Sequence, residues 1–267
     1  MKKIFLYGFF SLILLIACKE DEDRIISTDL PEEASQLFQV SKAWSEALFF
    51  AQLTYNQYSN PDSLILPGCP EILLEEDKKL VILTFNSATS CENSGNYIRS
   101  GRLILDFARA DSLNPIWFLE YDNYTFEASS IDGFRVFSRD SSGLVNETFE
   151  TLTHSTSGQL THNFSGNLNH TLSLDSGIIV SLNTKGIIRG KNPAGRNFEL
   201  DFEDKRTLLF ACFQENQILP VVGQETWKVS RSAISQVTHR LTYELKDSCE
   251  VESYVNLFDG RRLLLNP

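Results

Sequence analysis

The chain has 267 residues, enough for one large domain or two modest ones. Its hydrophobic content of 42% and charged content of 22% are typical of a globular protein and exclude a collagen-like or coiled-coil fibre. The formal net charge of −11 argues against nucleic-acid binding, which requires a cationic surface.

The N-terminus has the pattern of an export signal. The basic segment Met1-Lys2-Lys3 precedes an apolar run from Ile4 to Ala17, which is shorter than the roughly 20 residues that span a bilayer. The run ends in Leu15-Ile16-Ala17-Cys18, which resembles the lipobox of bacterial lipoprotein signal peptides. This resemblance implies removal of residues 1–17 and acylation of Cys18, so that the acyl chains hold the protein on membrane lipid. The alternative is an ordinary secretory signal with a chance cysteine.

Residues 18–30 are predicted to form a solvated acidic tether, because the run Lys19-Glu20-Asp21-Glu22-Asp23 is too charged to be buried. The run resembles the acidic export tag of surface-exposed lipoproteins in Bacteroidota, which implies the cell surface. A spacer that faces the periplasm is the alternative. Lys19 follows Cys18 directly, and this position resembles outer-membrane sorting more than inner-membrane retention.

Residues 31–267 are predicted to form one helix and a single antiparallel β domain. An acidic cap at Asp29 and apolar residues at spacings of three and four predict the helix over roughly 33–57. The spaced residues are Leu37, Val40, Trp44, Leu48 and Ala51, and the stripe is widened by Phe38, Phe49 and Phe50. A stripe this broad should pack on a sheet.

From about residue 64 the hydrophobic pattern has a period of two, which predicts strands. The predicted strands are 80–85, 102–107, 116–121, 134–137, 148–152, 178–182, 197–202, 207–213, 226–230 and 237–245. Turn signals are Asp132-Gly133, Ser142-Gly143, Ser176-Gly177, Gly190 to Pro193 and Asp259-Gly260. No helical pattern separates the strands, so the fold class is all-β, with one N-terminal helix and an antiparallel meandering sheet. The sheet could be a sandwich, a curled open barrel or an extended twisted sheet.

Three histidines recur at intervals of eight residues: His154, His162 and His170. One interpretation is a three-histidine metal site. The favoured interpretation places them near turns at Ser157-Gly158 and Ser165-Gly166, on a solvated face of the sheet. We therefore predict no metal ligands and no cofactor, and little loss of stability when these side chains are removed.

The chain contains no nucleophile elbow, zinc-protease motif or phosphate-binding loop that would predict an enzyme. Carboxylates at Asp201, Glu203 and Asp204 could serve a glycosidase, which needs two carboxyl groups that face each other across a cleft. Surface charge is the favoured explanation of these three residues. No catalytic residue is predicted.

With Cys18 acylated, four cysteines remain: Cys69, Cys91, Cys212 and Cys249. Export places them in an oxidising compartment, where four cysteines allow three pairings. Proximity in the sequence favours Cys69–Cys91 and Cys212–Cys249. A zinc site is the alternative, but it usually contains short C-x-x-C knuckles, which this chain lacks.

The cysteines lie in a longer pattern, which consists of Gly68-Cys69-Pro70, the run 80–85, Cys91, Gly95, Arg99, Gly101, the run 103–107, and Cys212 and Cys249 with the closing run 260–265. This pattern resembles a family of uncharacterised Bacteroidota outer-membrane lipoproteins. It spans most of the chain after Cys18. The chain departs from the family at two places. Asn86 stands where the family usually has a glycine, and residues 244–247 stand where it usually has a glycine-rich turn. The family has no established activity, so none is implied.

Together these features predict an outer-membrane, surface-exposed lipoprotein that acts as a non-catalytic binding or structural module of the envelope. The expected partners are membrane lipid, through acylated Cys18, and an envelope protein or glycan, but not nucleic acid. The alternative function is a cell-surface enzyme that acts on glycan.

Overall fold

The computed structural model describes residues 17–60, 66–86, 97–111, 113–156, 160–202 and 206–266, with side chains from Leu30 onward. The helices are α1 (Ala17–Glu46), α2 (Leu48–Gln52), α3 (Tyr55–Tyr58) and α4 (Phe210–Gln214). The strands are β1 (Glu71–Glu75), β2 (Leu80–Phe85), β3 (Arg99–Arg109), β4 (Ile116–Phe126), β5 (Ser129–Arg139), β6 (Val145–Thr156), β7 (Thr161–Asp175), β8 (Ile178–Lys191), β9 (Asn197–Asp201), β10 (Arg206–Leu209), β11 (Val222–Ser230), β12 (Gln236–Asp247), β13 (Glu250–Asn256) and β14 (Arg262–Leu264).

All 14 strands belong to one antiparallel sheet. Strands β1 to β8 pair in chain order, and β11 to β14 do the same. Between these two runs, β9 and β10 each pair with both β8 and β11, so the two short strands occupy successive parts of the same gap. The prediction of an all-β, antiparallel fold with an N-terminal helix is confirmed.

The sheet curls around the helical segment 30–52, whose side chains are buried on nearly every side. Glu46 of α1 contacts Arg99 on β3, and Trp44 contacts Glu147 on β6. Ser41 contacts Glu225 on β11, far along the same sheet. A single sheet can reach one helix from such distant strands only by curling, so the curled form is the one that this sequence adopts. The core of the domain is the layer between α1–α2 and the concave face of the sheet.

The helix differs from the prediction at both ends. α1 includes residues 18–30, which were predicted to be a solvated acidic tether that precedes the helix, and it continues through Pro31. Leu30 and Ala34 on either side of this proline are fully buried, so packing outweighs the helix-breaking tendency of Pro. Leu53 is extended and ends α2, after which Thr54 and Gln57 form a capping box that starts α3. The predicted helix 33–57 is therefore three consecutive helices.

Each of the ten predicted strands overlaps an observed strand, but the segment 207–213 is only partly extended. Its second half forms α4, in which Phe210 and Phe213 lie one turn apart and are both buried. The ring of Phe49 stacks on Phe213 with centroids 4.7 Å apart and tilts against Phe210 at 4.9 Å. A short apolar run is compatible with a strand or with a helix, and the contacts of Phe210 and Phe213 with α2 favour the helix.

Strands β1, β7 and β13 were not predicted, and β14 lies in the closing run 260–265 rather than among the ten predicted strands. A turn was expected at Ser165-Gly166, but both residues lie inside β7. A Cβ on Gly166 would lie 2.3 Å from Cζ of Phe149, so glycine is needed there to admit that ring. The expected turn at Asp132-Gly133 is likewise absent, because both residues lie in β5 next to a register shift that begins at Gly133, whose φ is +119°.

Within the described part of the chain, none of the helices combines the length and hydrophobicity that crossing a bilayer requires.

Candidate functional site

The concave face of the sheet carries carboxylates that bond to arginines and to the buried helix. Arg99 Nε donates to Glu46 Oε1 at 2.6 Å, and the Tyr124 hydroxyl donates to the same oxygen at 2.8 Å. Arg99 Nη1 also donates to Asn216 at 3.0 Å. Burial lowers the pKa of Arg99, but Glu46 and Tyr124 together outweigh it and raise that pKa above its ordinary value. This cluster fixes the C-terminal end of α1 against β3 and β4.

Glu147 on β6 is the centre of a second cluster. One of its oxygens accepts from Trp44 Nε1 at 2.9 Å and from Arg135 Nε at 2.7 Å. Its other oxygen lies 2.8 Å from His170 Nε2, whose Nδ1 lies 3.0 Å from the Thr184 hydroxyl. Burial raises the pKa of Glu147, but Arg135 and His170 outweigh it and lower that pKa to about 2. Glu147 is therefore an ionised acceptor at neutral pH.

Glu225 on β11 repeats this arrangement on the other side of the helix. It accepts from Arg206 Nε at 2.9 Å and from Trp227 Nε1 at 2.9 Å. The hydroxyls of Ser41 and Tyr243 each donate to Glu225 Oε1 at 2.8 Å. Four donors on α1 and on strands β10 to β12 thus converge on one buried carboxylate.

Trp44 lies between the two clusters. The guanidinium carbons of Arg135 and Arg206 are 5.5 Å and 5.2 Å from its ring, within the range of cation–π attraction.

A further ion pair lies near the start of the helical segment 30–52, where Arg231 donates twice to Glu33, at 2.6 Å and 2.8 Å. Burial raises the pKa of Glu33, but His239 and Arg231 outweigh it and lower that pKa. These contacts hold the helix in one position inside the sheet.

These residues could not be predicted from the sequence because their partners are distant in the chain. Glu33 bonds a residue 198 positions away, and Ser41 bonds one 184 positions away. The available signal was the presence of Ser41 and Glu46 beside the apolar stripe of α1, since a polar residue on a buried face needs a partner.

The interpretation of the three histidines as surface residues is wrong. His154, His162 and His170 are at most 1% exposed, because all three point to the concave side of the sheet. His154 and His162 are directly opposite on β6 and β7, with ring centroids 6.0 Å apart. His170 instead bonds Glu147. In the described residues, no group of three or more His, Cys, Asp or Glu side chains is placed to hold a metal ion.

The structure describes the other predicted site residues only in part. Asp201 is buried and lies 3.8 Å from Lys228 Nζ, so its interpretation as surface charge is wrong, whereas Glu203 and Asp204 are outside the described residues. The predicted disulfide Cys212–Cys249 is confirmed and links α4 to the turn between β12 and β13. Cys69 is disulfide-bonded, and Cys91 lies outside the described residues, so Cys69–Cys91 stays a prediction. The side chain of Cys18 lies outside the described part of the structure, so its acylation stays a prediction.

A cavity of about 220 Å³ opens at the end of the sheet where the hairpins β1–β2, β3–β4 and β5–β6 turn. We call it the end cleft, and its principal lining residues are Gln52, Tyr55, Lys79, Phe107, Trp117 and Arg139. Gln52 and Arg139 also line an adjacent, wider cleft of about 670 Å³. The end of α2 positions Gln52, while Trp117 is fixed by donating Nε1 to the Ala51 carbonyl at 2.7 Å.

Several polar atoms of the end cleft have no hydrogen-bond partner among the described residues. Gln52 is 1% exposed, yet in the described part of the chain neither its amide nitrogen nor its amide oxygen finds a hydrogen-bond partner. The Tyr55 hydroxyl and Arg139 Nε are also buried and without a partner among these residues. A buried polar group without a partner costs about 1–3 kcal/mol, so native proteins rarely leave several of them together. A ligand that bonded these atoms would recover that free energy.

A broader groove of about 730 Å³ crosses the outer face of the sheet over β6 to β9 and β11. Its charged side chains are largely paired with one another, since Glu199 bonds both Arg189 and Lys228 at 2.9 Å. Paired surface charges gain little from a further charged ligand. The end cleft, several of whose buried polar atoms have no hydrogen-bond partner among the described residues, is therefore the stronger candidate site.

Comparison with known proteins found no match: no family model, no curated protein and no solved structure is similar to this chain. What the structure defines is the class of protein, an all-β domain in which one antiparallel sheet curls around an N-terminal helix.

Proposed function

We propose that the chain is an outer-membrane lipoprotein, held on the membrane by acylated Cys18 and exposed at the cell surface, and that its β domain is a non-catalytic binding module of the envelope. The location is supported by the lipobox at Leu15 to Cys18 and by the acidic run at residues 19–23. Two or more acyl chains are enough to hold a protein stably on a membrane. An envelope protein or a glycan is the partner class that this location favours.

The binding role is carried by one observation, the buried Gln52 amide of the end cleft, which no other described residue hydrogen-bonds. The clusters around Glu46, Glu147 and Glu225 support the same role, because they fix the helix whose C-terminal end supplies Gln52. A site on a rigid scaffold loses little conformational entropy when it binds.

Glycan hydrolysis is less well supported. It needs one carboxyl group that is protonated and another that faces it across a cleft. Glu147 and Glu225 each bond an arginine in the interior that the helix fills, and the pKa of Glu147 is about 2. Both carboxylates therefore serve the scaffold.

Cell fractionation tests the anchor. In a Bacteroidota host the full-length protein should incorporate labelled fatty acid and sediment with outer membranes, whereas Cys18→Ser should do neither. Glu20→Gln, which leaves the lipobox intact, is the matched control and should behave as the wild type. A Cys18→Ser variant that still sediments with membranes would contradict the lipid anchor.

Protease treatment of intact cells tests the surface location. Surface exposure predicts digestion without permeabilisation, while a protein on the periplasmic face is digested only after the outer membrane is opened. Cross-linking on intact cells, followed by mass spectrometry, should then recover an envelope partner.

A further inference from the structure

We propose that the end cleft binds a small organic anion, a carboxylate on a compact apolar body. This inference rests on the proposed function only in taking the domain to be a binding module, and it does not depend on the lipid anchor.

The charge of the cleft favours an anion. Arg139 and Lys79 line it together with a single acidic residue, Asp111, so its local charge is positive in a chain whose net charge is −11. Neither cation has an ion-pair partner among the described residues. Instead, Lys79 Nζ lies 4.6 Å from the centre of the Tyr55 ring, and the Arg139 guanidinium lies 5.6 Å from that of Trp117. Both cations thus remain available for a negative ligand.

The hydrogen-bonding groups favour a carboxylate. Arg139 Nε–H, the Gln52 amide N–H groups and the Tyr55 hydroxyl are donors without acceptors among the described residues. A planar guanidinium matches the two oxygens of a carboxylate, and a charge-assisted hydrogen bond is about twice as strong as a neutral one. A carboxylate would supply acceptors to several of these donors at once.

The walls favour an apolar body of limited size. Phe107, Trp117 and Leu53 are buried side chains that line the cavity, and Pro115 and Ala110 complete its apolar surface. A volume of about 220 Å³ equals that of about seven liquid waters and is below the usual range of about 300–1,000 Å³ for drug-sized ligands. A single ring or a short branched chain fits this space.

Calorimetry with two probes of the same shape tests the proposal on the full-length protein in detergent. Benzoate should bind with a measurable dissociation constant, and benzamide, which lacks the charge, should bind about tenfold more weakly or not at all. Arg139→Gln should weaken benzoate binding about tenfold. Gln52→Met keeps the length of the side chain without its amide and should also weaken binding.

The controls separate binding from folding. Arg189→Gln makes the same charge change on the outer face, where that arginine side chain is 62% exposed, and should bind benzoate as the wild type does. Lys79→Gln removes the other cation of the end cleft and should therefore weaken benzoate binding. Because Lys79 is exposed, the urea midpoint should stay unchanged.

Three results would overturn the proposal: no benzoate binding, equal binding of benzoate and benzamide, or equal weakening by Arg139→Gln and Arg189→Gln. Each of these leaves the anchor untouched, and a soluble Cys18→Ser variant would leave benzoate binding untouched. The two proposals can therefore fail separately.

Discussion

The indole of Trp44 donates a hydrogen bond to Glu147 across 2.9 Å, and this contact joins the buried helix to the sheet that surrounds it. The acceptor is ionised, because the charge of Arg135 and the bond from His170 keep the pKa of Glu147 near 2 despite burial. Trp44 of the helix thus bonds a negative charge on β6, and Arg135 on β5 balances that charge. Removing either end of the contact should reveal how the helix is held.

Trp44→Phe should lower the free energy of unfolding by more than the same substitution at Trp117. Both indoles are buried and donate Nε1–H, but Trp44 donates to a carboxylate and Trp117 to the Ala51 carbonyl. A bond to a charged group contributes about 1.5–3 kcal/mol, and a neutral one about 1 kcal/mol. Urea denaturation of both variants measures the difference. Equal losses would mean that the Glu147 charge adds nothing to the contact.

Glu147→Gln should be strongly destabilising, by about 3–5 kcal/mol, since it leaves the Arg135 charge buried without a counter-ion. Glu199→Gln is the matched control, because that carboxylate pairs with the exposed Arg189 and should lose at most about 1 kcal/mol. The folded pKa of Glu147 is depressed, so its contribution is complete above the unfolded value of 4.5 and is lost as the pH falls toward 2. The difference between wild type and Glu147→Gln in urea should therefore stay constant from pH 7 to pH 5 and shrink below that range.

The fold was largely predictable because its strands repeat a local pattern, whereas the site depends on contacts that no local pattern encodes. Leu80 to Phe85 alternates in burial, and such alternation identifies a strand whatever lies beside it. Phe210 to Phe213 is equally apolar, and its contacts with the distant residue Phe49 favour the helical form. Propensity gives way to tertiary packing at such positions.

The candidate site was missed for a related reason. Gln52 resembles any polar residue at the end of an amphipathic helix, and its burial follows from the curling of the sheet around α2. Arg139 ends a strand 87 positions later, and nothing in its neighbourhood in the sequence links it to Gln52. The histidines were misplaced because Ser165-Gly166 favours a turn, while the Phe149 ring that fills the space over Gly166 lies on another strand.

Stability should fall between pH 7 and pH 5 because of His154 and His162. Burial lowers the pKa of His162 to about 4, and burial together with the charge of His162 lowers the pKa of His154 to about 4. The unfolded chain takes up these protons near pH 6.5 and the folded chain only near 4, so stability is complete above about pH 7 and is lost as the pH falls through this window. The loss from pH 7 to pH 5 should be roughly 2 kcal/mol per histidine.

The double variant His154→Phe/His162→Phe keeps two rings in the interior and removes both titrating groups. Its free energy of unfolding should therefore change much less between pH 7 and pH 5 than that of the wild type, while His170 and His239 remain in both proteins. Urea titrations at the two pH values measure this. Parallel pH dependence of the two proteins would show that neither histidine is held in its neutral form by burial.

Removing the disulfide between Cys212 and Cys249 should destabilise the domain without rearranging the sheet. The two residues are 37 positions apart, and in the chain-entropy model a loop of that length contributes roughly 4 kcal/mol by restricting the unfolded chain. Cys212→Ala/Cys249→Ala should lower the urea midpoint accordingly, with an unchanged far-ultraviolet circular dichroism spectrum. Peptide mapping of the exported wild type without reduction should recover the Cys212–Cys249 link, together with the predicted Cys69–Cys91 link. Free thiols at Cys212 and Cys249 in that protein, or a variant as stable as the wild type, would contradict a structural role for this bond.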